Sequence, residues 1–320
     1  MRAIVVAELG GPEVLTLAEQ PDPVPGPGRV LVKVAAAGVN FIDIYHRSGH
    51  YPQPVPYVPG VEGAGTVIAA GEGVTGFAAG DRVAWAAAAG SYAEQVTVDA
   101  AQLVPVPAGI DLKAAAAVML QGLTAHYLCR STFPVAGGAV TVVHAAAGGV
   151  GLLLTQMIKD LGGTVIATTS SAPKAELAVA AGADHVTSYE QFPEVVRRVT
   201  GGRGADVVFD GVGQATFDAS LSALRPRGMM VLFGAASGPV PAVDPQRLNR
   251  GGSLFLTRPT LANYVADRAE LLSRASEVFG WLGQGALSVR VGGAYPLASA
   301  GQAQRDLGAR RTTGKVILVP

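Results

Sequence analysis

The sequence predicts an α/β molecule of two parts, a doubly wound parallel sheet and a compact β-barrel-like domain, on three observations. A β-branched apolar run, Val140–Val143, turns through Ala146-Ala147-Gly148-Gly149-Val150-Gly151 into Leu152–Ile158, a segment suited to a helix. From Asp111 onward, short apolar runs alternate with helix-prone segments over short connections, as in a parallel sheet wound by helices. Before about Pro107 that alternation is missing, and short runs between Gly, Pro and Asp clusters read as the strands of a barrel.

Composition bounds what such a chain does. Its 320 residues leave room for two domains at about 100–200 residues each. With 49% hydrophobic and 15% charged residues it fills large cores and has little of the polarity of a disordered chain. Lys and Arg balance Asp and Glu at 24 each, so neither nucleic acid nor an anionic membrane is an expected partner. Cys129 is the only cysteine. That excludes a disulfide framework and a cysteine-rich zinc site, and a reducing cytoplasm is the expected setting. Val135–Ile158 carries no charge, yet five glycines, His144 and Gln156 interrupt it, whereas a spanning helix needs roughly 20 predominantly apolar residues.

Taken in order, Met1–Ala7 has Arg2 and then five apolar residues, too short for a signal-peptide core and readable as a first strand. Strands follow at Val30–Ala35, Gly65–Ala69, Arg82–Ala84 and Ala93–Val98, separated by a proline-spaced connection, Pro21–Pro27, and the turn signals of Gly71–Gly80. Inside this β texture, Gly38–Arg47 lacks alternation and reads as a short helix or a loop. Leu112–Arg130 is Ala/Leu-rich and helix-prone, with Gly122-Leu123-Thr124 interrupting it near the domain boundary. The βα units then run through strand Val140–Val143, helix Val150–Leu161, strand Thr164–Thr168, helix Pro173–Ala181 and strand His185–Thr187. They continue with helices near Phe192–Thr200 and Thr216–Leu224 and strands Asp206–Phe209, Met229–Phe233 and Gly252–Thr257. Asp267–Leu282 reads as a helix, and Lys315–Val319 as a last strand able to rejoin the first domain.

The turn at Ala146–Gly151 fits the dinucleotide fingerprint G-x-G-x-x-G with Ala146 in place of the first glycine. Small residues let the backbone approach a pyrophosphate, Gly151 permits close packing of helix on strand, and the helix start offers N–H groups and a positive dipole end. Glycine turns also end strands for steric reasons alone, so the flanking strand and helix are what carry this reading. The residue closing the second strand separates NAD from NADP, because an acid there binds a 2′-hydroxyl and repels a 2′-phosphate. Here that strand ends in Thr168, Thr169, Ser170 and Ser171, with Lys174 one turn on. Hydroxyls beside a cation suit a phosphate and favour NADPH; the same serines also serve as helix caps, and Lys174 as a solvated charge.

Seven stretches carry a family resemblance: GVNFIDIYHRSGHYP (Gly38–Pro52), PGVEGAGTV (Pro59–Val67), GDRVAW (Gly80–Trp85), LQGLTAHYL (Leu120–Leu128), HAAAGGVG (His144–Gly151), FDGVG (Phe209–Gly213) and TRPTL (Thr257–Leu261). In this order, along nearly the whole chain, they resemble the zinc-free quinone oxidoreductase branch, related to zeta-crystallin, of the medium-chain dehydrogenase/reductase superfamily. The resemblance implies a GroES-like β-barrel catalytic domain of residues 1–115, rejoined by 262–320, a doubly wound Rossmann domain of residues 116–261, and a cleft between them. It also implies a homodimer joined through the edge of the Rossmann sheet. By motif position it puts Asn40 near the nicotinamide, with Thr124 lining the same pocket. It assigns Ala147, Gly148, Gly149 and Val150 to the pyrophosphate, and Ser170, Lys174 and Tyr189 to the adenosine phosphate. Phe233 and Gly234 fall to the nicotinamide side, Gly211 to a further cofactor contact, and Arg310 or Arg311 to a contact closing over the cofactor. Gln121, where some members carry lysine, and Gly211, where serine is common, depart from the family pattern.

Zinc-dependent relatives carry metal ligands at motif positions held here by Asn40, Val61 and Leu120, so the resemblance implies no catalytic zinc, which takes three protein ligands. His46 and His50, with Asp43 nearby, form a rival metal pair if helical, but Ser48-Gly49 opposes a regular helix and solvated histidines are the simpler account. The expected reaction is transfer of hydride or electrons from NADPH to a quinone, with the cofactor supplying the chemistry. Tyr45 and Tyr51 are candidates to donate a hydrogen bond or proton to a developing oxyanion, while simple aromatic packing accounts for both equally. Tyr51 is preferred, because Gly49 and Pro52 put it on an exposed loop. An NADPH-dependent enone or 2-alkenal double-bond reductase is the second reading, and a non-catalytic, crystallin-like NADPH-binding protein the third. The S-x-x-K at Ser171–Lys174 lacks its companion motifs, no G-x-S-x-G elbow occurs, and Arg197-Arg198 and Arg310-Arg311 are too small for a nucleic-acid surface.

Overall fold

The computed structural model describes residues 1–320. Arg2–Val6 (β1) pairs antiparallel with Leu15–Glu19 (β2), a partner not apparent from the sequence. Arg29–Val39 (β3) is the spine of the β domain, with Val30, Val32 and Val34 turned into its core. Phe41–Arg47 (α1) resolves the ambiguous Gly38–Arg47 stretch as a helix. The helix starts where Asp43, at its third position, accepts from the Asn40 N–H at 2.8 Å, one arm of a capping box. Gly63–Ala70 (β4), Arg82–Trp85 (β5), Gln95–Asp99 (β6) and Val104–Pro105 (β7) follow. Trp85 is fully buried, and its indole N–H donates to Ser91 Oγ at 2.8 Å.

Leu112–Tyr127 (α2) runs straight through Gly122 rather than breaking there. Glycine is favoured because a Cβ would sit 2.9 Å from Cγ2 of Val118 and 3.0 Å from Cγ1 of Val278, so this position serves a close approach and not a helix end. A short π turn, Leu128–Thr132, follows.

The βα alternation comes next: Val140–Val143 (β8), Gly149–Asp160 (α3), Thr164–Thr168 (β9), Ala172–Ala180 (α4), His185–Thr187 (β10), Phe192–Val199 (α5) and Ala205–Asp210 (β11). Phe217–Ser222 (α6), Leu224–Leu232 (β12), Gln246–Arg250 (α7), Phe255–Thr257 (β13) and Leu261–Tyr264 (α8) complete it. The six strands form one parallel sheet in the order β10-β9-β8-β11-β12-β13. This is the doubly wound order, in which the winding reverses beside the first strand. Strands β8 and β11 are buried along their whole length, as a sheet covered on both faces requires.

Arg268–Gly283 (α9), Val291–Pro296 (β14), Ala300–Gly308 (α10) and Lys315–Val319 (β15) close the chain. Strand β15 lies between β14, parallel to it, and β3, antiparallel, in the seven-stranded sheet of the β domain. The chain therefore divides into two units, Met1–Leu123 with Val265–Pro320, and Thr124–Tyr264. Each has its own core: Val32, Val67, Trp85 and Leu318 in the first, Ile166, Phe192, Val208 and Met230 in the second. No helix is long and apolar enough to cross a membrane.

Candidate functional site

In the second unit the glycine turn lies beyond the C-terminal end of β8, at the switch point of the sheet. Ala145 takes a positive φ of 50°, the Ala146 N–H donates to Thr168 O at 3.1 Å, and Gly148 caps α3 in an extended conformation. A Cβ on Gly151 would come within 2.5 Å of Ala145 O, so only glycine lets the helix sit this tightly on the turn. The first-turn N–H groups at Gly149, Val150 and Gly151 have no acceptor within the helix and add to its positive end, an anion site in waiting. Ala147 and Gly148 form the floor of this turn, with Ala147 buried.

Beside it, at the ends of β9 and β10, an open pocket of about 450 Å³ is lined by Thr169, Ser170, Ser171, Thr187, Ser188, Tyr189 and Glu190, among others. Lys174, in the first turn of α4, reaches back to Ser170 Oγ at 3.4 Å. The strand end offers hydroxyls and no carboxylate, a donor set that suits a phosphate. Glu190 is the one acid in the lining; it is exposed, and hydrogen bonding from Ser188 holds its carboxyl below the usual range.

The remaining cofactor candidates of this unit meet at the ends of β11 and β12. Asp210 Oδ1 accepts from the Val212 and Gly213 N–H groups at 2.7 and 2.9 Å, and Thr216 Oγ1 donates to Oδ2 at 2.6 Å. Its main-chain oxygen accepts from Phe233 and Gly234 at 2.9 and 3.3 Å. Gly211 packs under the Phe233 ring. Gly211, Phe233 and Gly234 are thus one cluster organised by a buried aspartate that sequence alone did not single out. Thr124, in α2, is 7% exposed.

In the first unit Asn40 belongs to a buried polar cluster. Its Nδ2 donates to Glu62 Oε2 at 2.8 Å, while its Oδ1 accepts from Lys315 Nζ at 2.7 Å. Lys315 also pairs with Glu62 Oε2 at 2.5 Å, and the Leu120 N–H donates to Glu62 Oε1 at 2.7 Å. Glu62 and Lys315 are wholly inaccessible. Both ends of the Asn40 amide are therefore held, and its orientation is fixed by the two ions of one pair, the Glu62 carboxylate at Nδ2 and the Lys315 ammonium at Oδ1. Asp43 accepts from Tyr92 Oη at 2.9 Å, and burial pushes its carboxyl up to about 7. Glu62 and Lys315 carry a faint sequence signal, each a lone charge within or opening an apolar stretch. Nothing local pairs them.

Tyr45 and Tyr51 do come together, with ring centroids 5.3 Å apart and nearly perpendicular, and His50 packs on both. Tyr51 is 38% exposed. His46 and His50 join this aromatic group, and no three acidic, histidine or cysteine side chains gather anywhere to hold a metal ion. Arg310 is exposed and follows α10 with a positive φ of 58°.

Comparison with known proteins gives these sites a context. Residues 149–270 match the family described as zinc-binding dehydrogenase, and residues 26–108 the alcohol dehydrogenase GroES-like domain. The chain is 45% identical to a quinone oxidoreductase of Pseudomonas aeruginosa, over 100% of this chain and 99% of the relative. It is 40% identical to a 2-haloacrylate reductase of a Burkholderia species, over 99% and 98% of the two chains. Among solved structures, a mycobacterial protein complexed with NADPH superposes with a TM-score of 0.98 at 52% identity, covering 100% of both chains. The quinone oxidoreductase of Escherichia coli complexed with NADPH has a TM-score of 0.98 at 40% identity, again over 100% of both.

Proposed function

The chain belongs to the quinone oxidoreductase branch of the medium-chain dehydrogenase/reductase superfamily, and from that membership we propose an NADPH-dependent quinone oxidoreductase that works without zinc. The observation that carries the cofactor is the hydroxyl-lined pocket at the end of β9, with Lys174 at its edge and no carboxylate closing the strand. The donor set of this chain fits the group. Ala147, Gly148, Gly149 and Val150 receive the pyrophosphate, and Ser170, Lys174 and Tyr189 receive the 2′-phosphate. Gly211, Phe233 and Gly234 border the nicotinamide side of the second unit, to which Thr124 also contributes. Asn40 is the polar group of the first unit assigned to the nicotinamide, and Arg310 to a closing contact. When bound, NADPH supplies the reducing electrons.

Positions where zinc-dependent relatives bind metal hold an amide, Asn40, and two aliphatic side chains, Val61 and Leu120. The buried charge beside Asn40 is instead the Lys315 ammonium, already neutralised by Glu62. Tyr45 and Tyr51 remain the candidates to donate to the reduced oxygen, and Tyr51 has the exposure to meet a substrate. A flat quinone also finds in Tyr45, His50 and Tyr51 an aromatic group suited to stacking.

A homodimer through the edge of the parallel sheet is supported by β13, the last strand of that sheet, whose Phe255 is 56% exposed. The buried Cys129, in no disulfide, accords with a reducing cytoplasm. The relative named 2-haloacrylate reductase favours one alternative, reduction of a conjugated double bond. Oxidation of NADPH followed by absorbance, with 1,4-benzoquinone, 9,10-phenanthrenequinone and a 2-alkenal in parallel, separates the two. Quinone turnover that prefers NADPH over NADH and survives a chelator is the expected result; turnover of the alkenal alone transfers the assignment to the double-bond reductase.

A further inference from the structure

His144 is a buried titratable group that the proposed reaction does not use, and both of its ring nitrogens are engaged. It follows β8, opens the glycine turn and is 1% exposed. Its hydrogen-bonding roles follow from its neighbours. Ser220 Oγ lies 2.8 Å from Thr216 O and 3.2 Å from Asp210 Oδ2, and both of those oxygens accept. Ser220 therefore commits its hydrogen to them and accepts from His144 Nε2 at 2.9 Å. Nδ1 is left as an acceptor, and Thr168 Oγ1, 2.8 Å away, donates to it. The Phe192 ring meets the imidazole edge-on at 4.8 Å, and the Tyr189 ring packs at 5.8 Å.

Thr168 is the last residue of β9, and Thr169, Ser170 and Ser171 of the pocket follow it directly. Tyr189 belongs to the same lining. One neutral imidazole thus anchors the origin of the hydroxyl-bearing loop and also packs against an aromatic residue of the lining. The pyrophosphate turn meets Thr168 only through its main chain, the Ala146 N–H donating to Thr168 O at 3.1 Å, and is braced by the Gly148 N–H on Ala145 O and the packing of Gly151, none of which uses the Thr168 hydroxyl. On the other side, Ser220 keeps Asp210 and Thr216 as partners even without the imidazole.

We propose that His144 is a positioning residue for the phosphate-bearing end of the cofactor, holding Thr168 and Tyr189 so that Ser170, Lys174 and Tyr189 converge on a 2′-phosphate. The inference rests on the NADPH reading above. It gives His144 a selective effect, because the ordering it supplies in advance is the ordering that a 2′-phosphate would otherwise have to impose.

Two variants test it. Thr168→Val removes the hydroxyl at nearly constant shape, and His144→Phe keeps a ring while removing both nitrogens. Affinities for NADPH, NADH, 2′,5′-ADP and 5′-AMP are measured by calorimetry on the folded proteins. Both variants are expected to bind NADPH and 2′,5′-ADP about tenfold more weakly, the worth of one buried hydrogen bond, with NADH and 5′-AMP changed less than about twofold. The double variant is expected to be no worse than the weaker single one, because the two residues act through one contact. Equal losses for all four nucleotides, or an unchanged NADPH preference in both variants, overturns the proposal. Should His144→Phe not fold, Thr168→Val decides alone. A wild-type protein that binds NADPH and NADH alike overturns the cofactor reading itself, and the proposal with it.

Discussion

At the scale of single residues, the two sites differ in how they use charge. Lys174 is half-buried, holds Ser170 Oγ at 3.4 Å and is proposed to meet the 2′-phosphate. Lys174→Ala is expected to weaken NADPH binding by about tenfold or more, a charge-assisted hydrogen bond, and to leave NADH nearly unaffected; equal losses for the two nucleotides would sink the assignment. Lys315, by contrast, is sealed against Glu62, both side chains being wholly inaccessible. Lys315→Met leaves a buried, uncompensated carboxylate and is expected to cost about 3–5 kcal/mol of stability by denaturant titration. Adding Glu62→Gln should recover most of that, since the pair is then absent altogether. A single variant as stable as the wild type would show the pair to be idle. The placement of Lys174 beside Ser170 was legible in the sequence, because it stands one helical turn beyond the end of β9. The pairing of Glu62 and Lys315 was not, because 253 residues separate them and only the neighbouring strands β3, β4 and β15 bring them together.

At the scale of elements, the local pattern was most informative where one element completes its own logic. The strand, turn and helix of β8 and α3 could be read directly, since each step of that motif is set by its own residues. Gly151→Ala is expected to cost about 1–3 kcal/mol, because the new methyl meets the Ala145 carbonyl. The same change should weaken NADPH binding by tilting α3 off the turn; an unchanged melting temperature would contradict it. Gly122 reads as a helix breaker in isolation, yet α2 continues through it, because the glycine answers to Val278 on another helix. The sequence left Gly38–Arg47 as a short helix or a loop, and the capping arm from Asp43 to the Asn40 N–H settles it as the helix α1. Strand β14 and helix α10 were missed: Gly292, Gly293 and Pro296 weaken the strand pattern, and only pairing with β15 makes it a strand. The proposed homodimer is tested at β13: if the chain is a dimer in light scattering, Phe255→Asp is expected to make it a monomer, and a wild-type monomer or a variant that remains dimeric contradicts the proposal.

At the scale of the whole molecule, two buried groups give stability opposite pH dependences. Burial pushes His144 from 6.5 down to about 4. Between those values the unfolded chain binds the extra proton, so this contribution is full above about pH 6.5 and is lost as pH falls toward about 4. Its full size is about 3 kcal/mol, and His144→Phe should flatten the acid limb of the stability curve. Burial raises Asp43 from 3.8 to about 7, so here the native state holds the proton. That contribution is full below about pH 3.8 and is lost as pH rises to about 7, and Asp43→Asn should flatten this opposing limb. Denaturant titrations at several pH values check both, and parallel curves for wild type and variants would contradict the assignment. By itself the sequence determined the βα alternation, the glycine turn and the hydroxyl-bearing second strand. Each is written in residues a few positions apart, where backbone sterics and helix or strand period act. The tertiary structure alone decided how the Asn40 amide is oriented, how Asp210 gathers two loops, and what His144 touches. Those facts depend on buried hydrogen bonds between residues distant in sequence, and burial, which gives such bonds their strength and shifts their acidities, exists only once the chain has folded.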